Sequence, residues 1–182
     1  MVTRSAFNVP VIMPIQPKPG NEVRRFEDDD LTSVMEMHDQ TNFDRIFSAV
    51  RSRETWQRQI QHPGAPWPSE DREGFTVVES RGQIVAYVRL GTSQWEGCVL
   101  IESGCKNGND GALLAALPRL LQRCKQLGYG ELRIVAPADH PISGPLTEMN
   151  VKREFSEVGG LMLNVVSPLE LFIGIEELLS RR

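Results

Sequence analysis

The sequence predicts an α/β domain, because segments with strand patterns and segments with helical patterns alternate along most of its 182 residues. One stretch carries much of this prediction. Cys98–Gly104 has the apolar character of a buried strand, and a loop rich in glycine and asparagine follows it. A long helix with one apolar face then runs from about Ala112 to Leu127. Such a strand–loop–helix unit is a common phosphate site, because loop amides and the positive helix end face the anion together.

The composition excludes several classes of partner. The chain carries 20 Lys and Arg residues against 24 Asp and Glu residues, so neither nucleic acid nor a membrane surface is expected as a partner. Its 3 cysteines and 3 histidines lack the spacing of a disulfide framework or a zinc site. We therefore predict no metal and a reducing, cytoplasmic location. No apolar run reaches the roughly 20 residues that a membrane-spanning helix needs.

The amino-terminal part divides into two regions. Residues 1–20 are rich in proline, which predicts an extended arm or linker, and we place the compact domain at residues 21–182. The domain opens with a short strand at Glu22–Phe26, and Asp28–Asp30 then cap a first helix. Ser52 is the expected N-cap of a second helix. Four side chains of the first helix share a face: Leu31, Val34, Met35 and His38.

The remaining elements follow from turn and capping signals. Phe75–Glu79 and Ile84–Leu90 predict a β-hairpin, because a short polar turn containing glycine joins them. Gly128 is expected to end the long helix, whereas Pro118 inside it predicts a bend or a later start. Farther along, the pattern predicts a strand, a short helix, another strand and a capped last helix, at Glu131–Val135, Pro141–Met149, Gly160–Val166 and from Ser167 onward.

This order of elements resembles the GNAT family of acetyl-CoA-dependent N-acyltransferases. The resemblance covers about Glu22–Val166, with Val23–Phe26 as the opening strand and residues 98–136 as the cofactor motif. It implies a GNAT-like mixed, mostly antiparallel sheet with helices on both faces. It also implies a splay between the strands around Val99–Gly104 and Glu131–Val135.

The resemblance implies acetyl-CoA as the cofactor, held by its pyrophosphate on the backbone amides of the loop. The positions that match this loop are Cys105, Lys106, Asn107, Gly108, Asn109 and Gly111. Gly108 aligns with the first glycine of the family motif, but Cys105 replaces its Arg or Gln and Asp110 its second glycine. A carboxylate repels a pyrophosphate. The alternative from the residues alone is that Asp110 or Asn109 caps the helix.

The candidate catalytic residue is Glu102, because the family often has a carboxylate on this strand that takes a proton from the acceptor amine. The alternative is a partly exposed structural glutamate. Leu146 stands where the family has a tyrosine acid, although Asn150 can still adopt the left-handed turn conformation. Asp139 and His140 follow a strand and can either orient an imidazole or form a turn that caps the next helix.

A narrower resemblance connects the chain with the central, GNAT-like domain of Eis-type acetyltransferases, which keeps the fold and not the cofactor site. Three segments carry it: Val50–Trp56, Ala138–Pro141 and Gly160–Leu169. The sequence therefore supports two functional hypotheses. The first is an acyl-CoA-dependent N-acyltransferase with a degenerate cofactor loop, acting on a small amine. The second is a non-catalytic module that binds a ligand or another subunit, including a second copy of itself.

Overall fold

The computed structural model describes residues 3–15, 20–42, 51–61, 69–93, 97–107, 109–137 and 140–157. These residues form eight strands: β1 (Thr3–Pro10), β2 (Asn21–Arg25), β3 (Ser69–Glu70), β4 (Thr76–Ser80), β5 (Gln83–Ser93), β6 (Gly97–Cys105), β7 (Glu131–Pro137) and β8 (Arg153–Glu157). Four α-helices accompany them: α1 (Leu31–Asn42), α2 (Arg53–Gln61), α3 (Asp110–Gln126) and α4 (Ser143–Glu148). The strand predicted at Gly160–Val166 and the helix after it lie outside the described residues.

The strands form one mixed, mostly antiparallel sheet, which confirms the predicted fold class. Their order is β2-β4-β5-β6-β7-β1-β8, and β3 pairs with β5 beside this path. β6 and β7 are parallel, whereas the other pairings between described strands are antiparallel. The predicted hairpin is β4–β5, and its turn residues Arg81 and Gly82 have positive φ angles of 52° and 73°. Two such residues give the turn a twist that matches the sheet.

Helices cover both faces of the sheet. On one face α3 packs through Leu113, Leu117 and Leu120. On the other, α1 and α2 pack through Met37 and Trp56. β5 contributes side chains to the core on both faces of the sheet, because neighbouring side chains on a strand point to opposite faces.

The helix boundaries follow their capping signals closely. The Thr55 amide donates to the Ser52 hydroxyl at 3.2 Å, which confirms Ser52 as the N-cap of α2. Gly128 ends α3 with φ 86°, and the next amide, that of Tyr129, donates back to the Cys124 carbonyl at 2.9 Å. Pro118 lies inside α3 without delaying its start, because the helix begins at Asp110, two residues before the expected start.

The amino-terminal segment differs from the predicted arm. Thr3–Pro10 is a strand inside the sheet, between β7 and β8, and the side chains of Phe7 and Val9 are fully buried. The prolines that indicated an arm stand at positions 10, 14, 17 and 19, at or beyond the end of this strand. The alternating apolar residues before them satisfy a strand pattern, so the sheet begins at Thr3 rather than at Glu22.

Candidate functional site

A cleft opens where β6 and β7 separate. The two strands pair only over Cys98–Leu100 and Leu132–Ile134, although both continue beyond these residues. The gap is a cavity of about 190 Å³ between Leu100–Ser103 and Val135–Pro137, and Thr41, Asn42 and His140 also line it. This is the splay that the GNAT resemblance implies.

The cleft is smaller than a complete binding site for a cofactor, because ligand pockets typically measure about 300–1,000 Å³. It has room for the reacting end of a ligand, with the remainder of the molecule outside. Strand backbone released from sheet pairing borders it, and such groups need hydrogen-bond partners. The site is therefore suited to a small polar group such as an amide or a thioester.

Glu102 lies in the cleft wall, with its side chain 13% exposed. Its carboxylate accepts hydrogen bonds from Arg51 Nη1 at 2.9 Å and from Arg89 Nη1 at 2.7 Å. His38 Nε2 stands 3.3 Å from the same carboxylate. The structure thus brings the predicted base to the cleft, but the lone pairs that would take a proton are directed at two guanidinium groups.

Trp56 organises this ion cluster from the α2 side. Its ring is fully buried, and the guanidinium carbons of Arg51 and Arg89 lie 4.9 Å and 5.2 Å from its centroid. The His38 ring meets it edge-on at 5.3 Å. Cation–π contacts of this kind stabilise guanidinium groups that have lost part of their hydration.

Residue pattern does not predict this cluster, although one signal in the sequence points to it. Arg89 stands in the apolar run of β5, where a charged side chain needs a partner. The sheet register places it directly opposite Glu102. The remaining members come from elements distant in sequence, so residue pattern alone does not join them.

Tyr87 belongs to the hydrophobic core on the α1–α2 side of the sheet, together with Trp56. It is fully buried, and burial, followed by the nearby charge of Glu102, raises its pKa well above the usual value. Its hydroxyl has no hydrogen-bond partner among the described residues. It therefore stays protonated and is no substitute for a solvent-linked acid.

Gly104 allows Tyr87 to pack closely against β6. A Cβ at this position would lie 2.6 Å from Tyr87 Cε1 and 3.1 Å from Thr41 Oγ1. We expect Gly104→Ala to lower the free energy of unfolding by about 1–3 kcal/mol, since the aromatic ring must shift. Urea denaturation measures this loss. Gly144→Ala is the matched control, because a Cβ there meets nothing within 4 Å, and equal effects of the two variants would contradict the packing argument.

Three backbone amides in or beside the predicted cofactor loop donate hydrogen bonds to carbonyl groups of the chain. Lys106 N–H donates to the Val85 carbonyl at 2.9 Å, which extends the pairing beside Cys105. Asn109 N–H donates to the Lys106 carbonyl at 3.0 Å, and Ala112 N–H donates to Asn109 at 2.7 Å. These three amides are therefore already used within the chain.

The amino-terminal end of α3 carries no side-chain cap from Asn109. Asn109 occupies the N-cap position, but its amide nitrogen instead contacts the Asn107 carbonyl at 3.4 Å. This is contrary to the capping alternative for Asn109. Gly111 lies in the first turn of α3. Gly108 and the side chain of Asp110 fall outside the described atoms.

The region after β7 contains no tyrosine acid, and it places a histidine in the cleft. Leu146 is fully buried in the hydrophobic core that contains the leucines of α3, and a leucine side chain has no acidic proton. Asn150 adopts the expected left-handed conformation, with φ 57°. His140 is only 7% exposed, and its Nε2 faces Ser103 of β6. Asp139, its predicted partner, lies outside the described residues.

Metal sites and membrane-spanning helices are both absent from the part of the chain that the structure describes. No three His, Cys, Asp or Glu side chains gather there as a metal site. None of the described helices has the length and apolar character needed to cross a bilayer.

Comparisons of structure identify the fold. No protein-family model matches the chain, and its sequence matches no curated protein. A GCN5-related N-acetyltransferase from Sphaerobacter thermophilus superposes with a TM-score of 0.58 and 17% identity, over 86% of this chain and 50% of that protein. A predicted acetyltransferase with acetyl-CoA from Clostridium acetobutylicum gives a TM-score of 0.53 and 12% identity, over 80% and 97%.

A third similar structure is the aminoglycoside 6′-N-acetyltransferase AAC(6′)-IG from Acinetobacter haemolyticus, with a TM-score of 0.54 and 13% identity, over 79% of this chain and 98% of that protein. The chain therefore has a GNAT-like fold. It spans about half the length of the Sphaerobacter protein. Fold likeness at these identities does not fix an activity, because function depends on the site.

Proposed function

We propose that this protein binds the thioester end of acetyl-CoA in the cleft between β6 and β7 and transfers the acyl group to a small amine. The observation that carries the proposal is the cleft itself, where two parallel strands part after Leu100 and Ile134. One protein of the same fold, the Clostridium acetyltransferase, is described with acetyl-CoA. When bound, the coenzyme supplies an acyl group already activated as a thioester.

The residues present fit the two ends of the coenzyme unequally. The cleft fits the thioester end, because it is narrow and bordered by strand backbone. The pyrophosphate would lie at the amino-terminal end of α3, near Gly111 and the half-buried Lys106. Asp110 opposes it there by charge repulsion. We therefore expect modest affinity for the whole coenzyme.

Glu102 is better suited to positioning than to proton transfer. Its carboxylate holds Arg51 and Arg89 in place beside the cleft. A general base must have a lone pair directed at the proton it takes. The acceptor amine would enter beside Thr41 and Asn42, which line the cleft from the carboxyl end of α1.

The second candidate function is a non-catalytic GNAT-like module. Three loop amides are already donated within the chain, and Leu146 replaces the expected acid. The resemblance to the central domain of Eis-type proteins favours the same alternative. A module of this kind would bind its ligand or partner without acyl transfer.

Acetyl-CoA binding separates these possibilities. At a ligand concentration 100 times the dissociation constant, binding stabilises the native state by about 2.7 kcal/mol. For a chain of this length, that corresponds to a rise in Tm of about 5–10 °C. We expect a rise with acetyl-CoA, measured by scanning calorimetry, and acetylation of small amines measured with labelled acetyl-CoA. A rise without transfer would favour the module, and no rise at millimolar ligand would contradict the proposal.

A second arm of this test removes the charge at the start of α3. Asp110→Asn should tighten acetyl-CoA binding about fivefold, since one repulsive contact across water is worth ~1 kcal/mol. Asp28→Asn makes the same change of net charge at an exposed position in the turn before α1. Equal effects of the two variants would show that only the overall charge matters.

A further inference from the structure

Two cysteines meet in the hydrophobic core where β6 packs against α3. Cys98 is the second residue of β6, and Cys124 lies in the last turn of α3. Both are free thiols, and their exposed fractions are 1% and 0%. The two side chains are hydrogen-bonded to each other, so their sulfur atoms already face one another across the contact between strand and helix.

The two thiols differ in how readily they lose a proton. The hydrogen bond from Cys124 stabilises the Cys98 thiolate and lowers the pKa of Cys98. The Arg123 guanidinium acts in the same direction, while burial and the Asp71 carboxylate oppose both effects without cancelling them. The hydrogen bond and burial together raise the pKa of Cys124. Cys98 is therefore the nucleophile of the pair, and Cys124 keeps its proton.

The position of the pair in the fold gives a small oxidant a way in. Gly97, with φ 72°, begins β6 immediately before Cys98, and α3 ends at Gln126, two residues after Cys124. Ends of strands and helices open locally at a lower free-energy cost than their centres. Because both thiols are buried in the closed state, we expect a small peroxide to react slowly with them and a bulky thiol reagent to be excluded.

We propose that Cys98 and Cys124 form a reversible disulfide when the protein meets a peroxide. The Cys98 thiolate attacks one peroxide oxygen, so an S–O bond forms, the O–O bond breaks, and the departing hydroxide takes up the proton that Cys98 had released. The Cys124 sulfur then attacks the Cys98 sulfur, so an S–S bond forms, the S–O bond breaks, and the oxygen leaves as water with the Cys124 proton. Two electrons pass from the two thiols to hydrogen peroxide, which ends as two molecules of water.

The disulfide joins the start of β6 to the last turn of α3. It closes a loop of roughly 25 residues, and a cross-link of this span stabilises the native state by restricting the unfolded chain. For a chain of this length we expect Tm to rise by about 7–14 °C on oxidation. The inference stands apart from acyl transfer, because neither cysteine lines the cleft between β6 and β7.

The first test identifies the product by mass. Wild-type protein is treated with hydrogen peroxide, its remaining thiols are alkylated, and intact and peptide mass spectrometry follow. We expect a loss of about 2 mass units, a peptide in which Cys98 and Cys124 are linked, and recovery of both thiols with dithiothreitol. Cys124→Ala should instead stop at the sulfenic or sulfinic acid of Cys98, about 16 or 32 mass units heavier than the thiol.

The second test measures Tm before and after oxidation. Cys105→Ala is the matched control, since Cys105 is a buried cysteine of the same strand. It should keep both the disulfide and the rise in Tm, whereas Cys98→Ala should lose both. The proposal would be overturned by a wild-type protein that keeps all its thiols, that stops at sulfinic acid, that links Cys105 instead, or whose Tm does not rise when Cys98 and Cys124 are linked.

Discussion

Replacing Glu102 with alanine is expected to lower the free energy of unfolding by about 3–5 kcal/mol, because it leaves buried positive charge without its counterion. Arg89 is only 5% exposed, and its guanidinium lies 2.7 Å from the Glu102 carboxylate. Arg51 donates to the same carboxylate at 2.9 Å. Urea denaturation followed by far-ultraviolet circular dichroism gives the stability difference.

Two controls separate charge from shape. The double variant Glu102→Leu with Arg89→Met removes a pair of opposite charges and should recover much of the loss, since well-packed apolar residues often replace a buried ion pair. Glu54→Ala breaks an exposed ion pair with Arg58 and should leave stability unchanged. The side chain of Glu54 is 81% exposed and that of Arg58 is 72% exposed. If Glu102→Ala cost no more than Glu54→Ala, the cluster would not be a stabilising unit.

A further variant, Glu102→Gln, distinguishes a base from a positioning residue at this site. A general base needs a carboxylate oxygen that is free to accept a proton, whereas a positioning residue needs a carboxylate that its partners hold firmly. We expect Glu102→Gln to keep much of the thermal shift produced by acetyl-CoA, because the cleft backbone is unchanged. Loss of acyl transfer in a variant that folds and binds normally would instead support the base.

Elements marked by local chemistry could be predicted from the sequence. Gly128 has the positive φ that a helix-ending glycine provides, and Ser52 caps α2 as expected. The β4–β5 hairpin follows from a two-residue turn between two apolar strands. In each case the deciding contact lies within a few residues along the chain. The strand Thr3–Pro10 was misassigned because its partners lie more than 120 residues away, at β7 and β8.

The site was harder to predict for a related reason. Glu102 and His140 could be named from residue type and position, but their states depend on contacts that no local pattern shows. Arg51 lies 51 residues from Glu102 in the sequence. The contact between Ser103 and His140 joins residues 37 positions apart. In the loop, residue types alone did not show that the Asn109 backbone amide donates to the Lys106 carbonyl.

Trp56→Ala should cost about 3–5 kcal/mol of stability, as expected for removing a fully buried aromatic side chain. It should also weaken acetyl-CoA binding, since Trp56 supports the guanidinium groups that fix Glu102 at the cleft wall. Trp56→Phe should lose less stability and less affinity for acetyl-CoA than Trp56→Ala. The Trp56 indole N–H has no hydrogen-bond partner among the described residues, so phenylalanine sacrifices no such bond.

Leu120→Ala is the matched control for this prediction. Leu120 belongs to α3 and is fully buried against the opposite face of the sheet, and its truncation should cost about 2–5 kcal/mol. If general loosening of the protein weakens the site, both variants should weaken acetyl-CoA binding in proportion to their loss of stability. If the cluster around Trp56 shapes the cleft, Trp56→Ala should weaken binding more than Leu120→Ala does at equal stability. Proportional losses, measured by calorimetry well below each Tm, would contradict a specific role for the cluster.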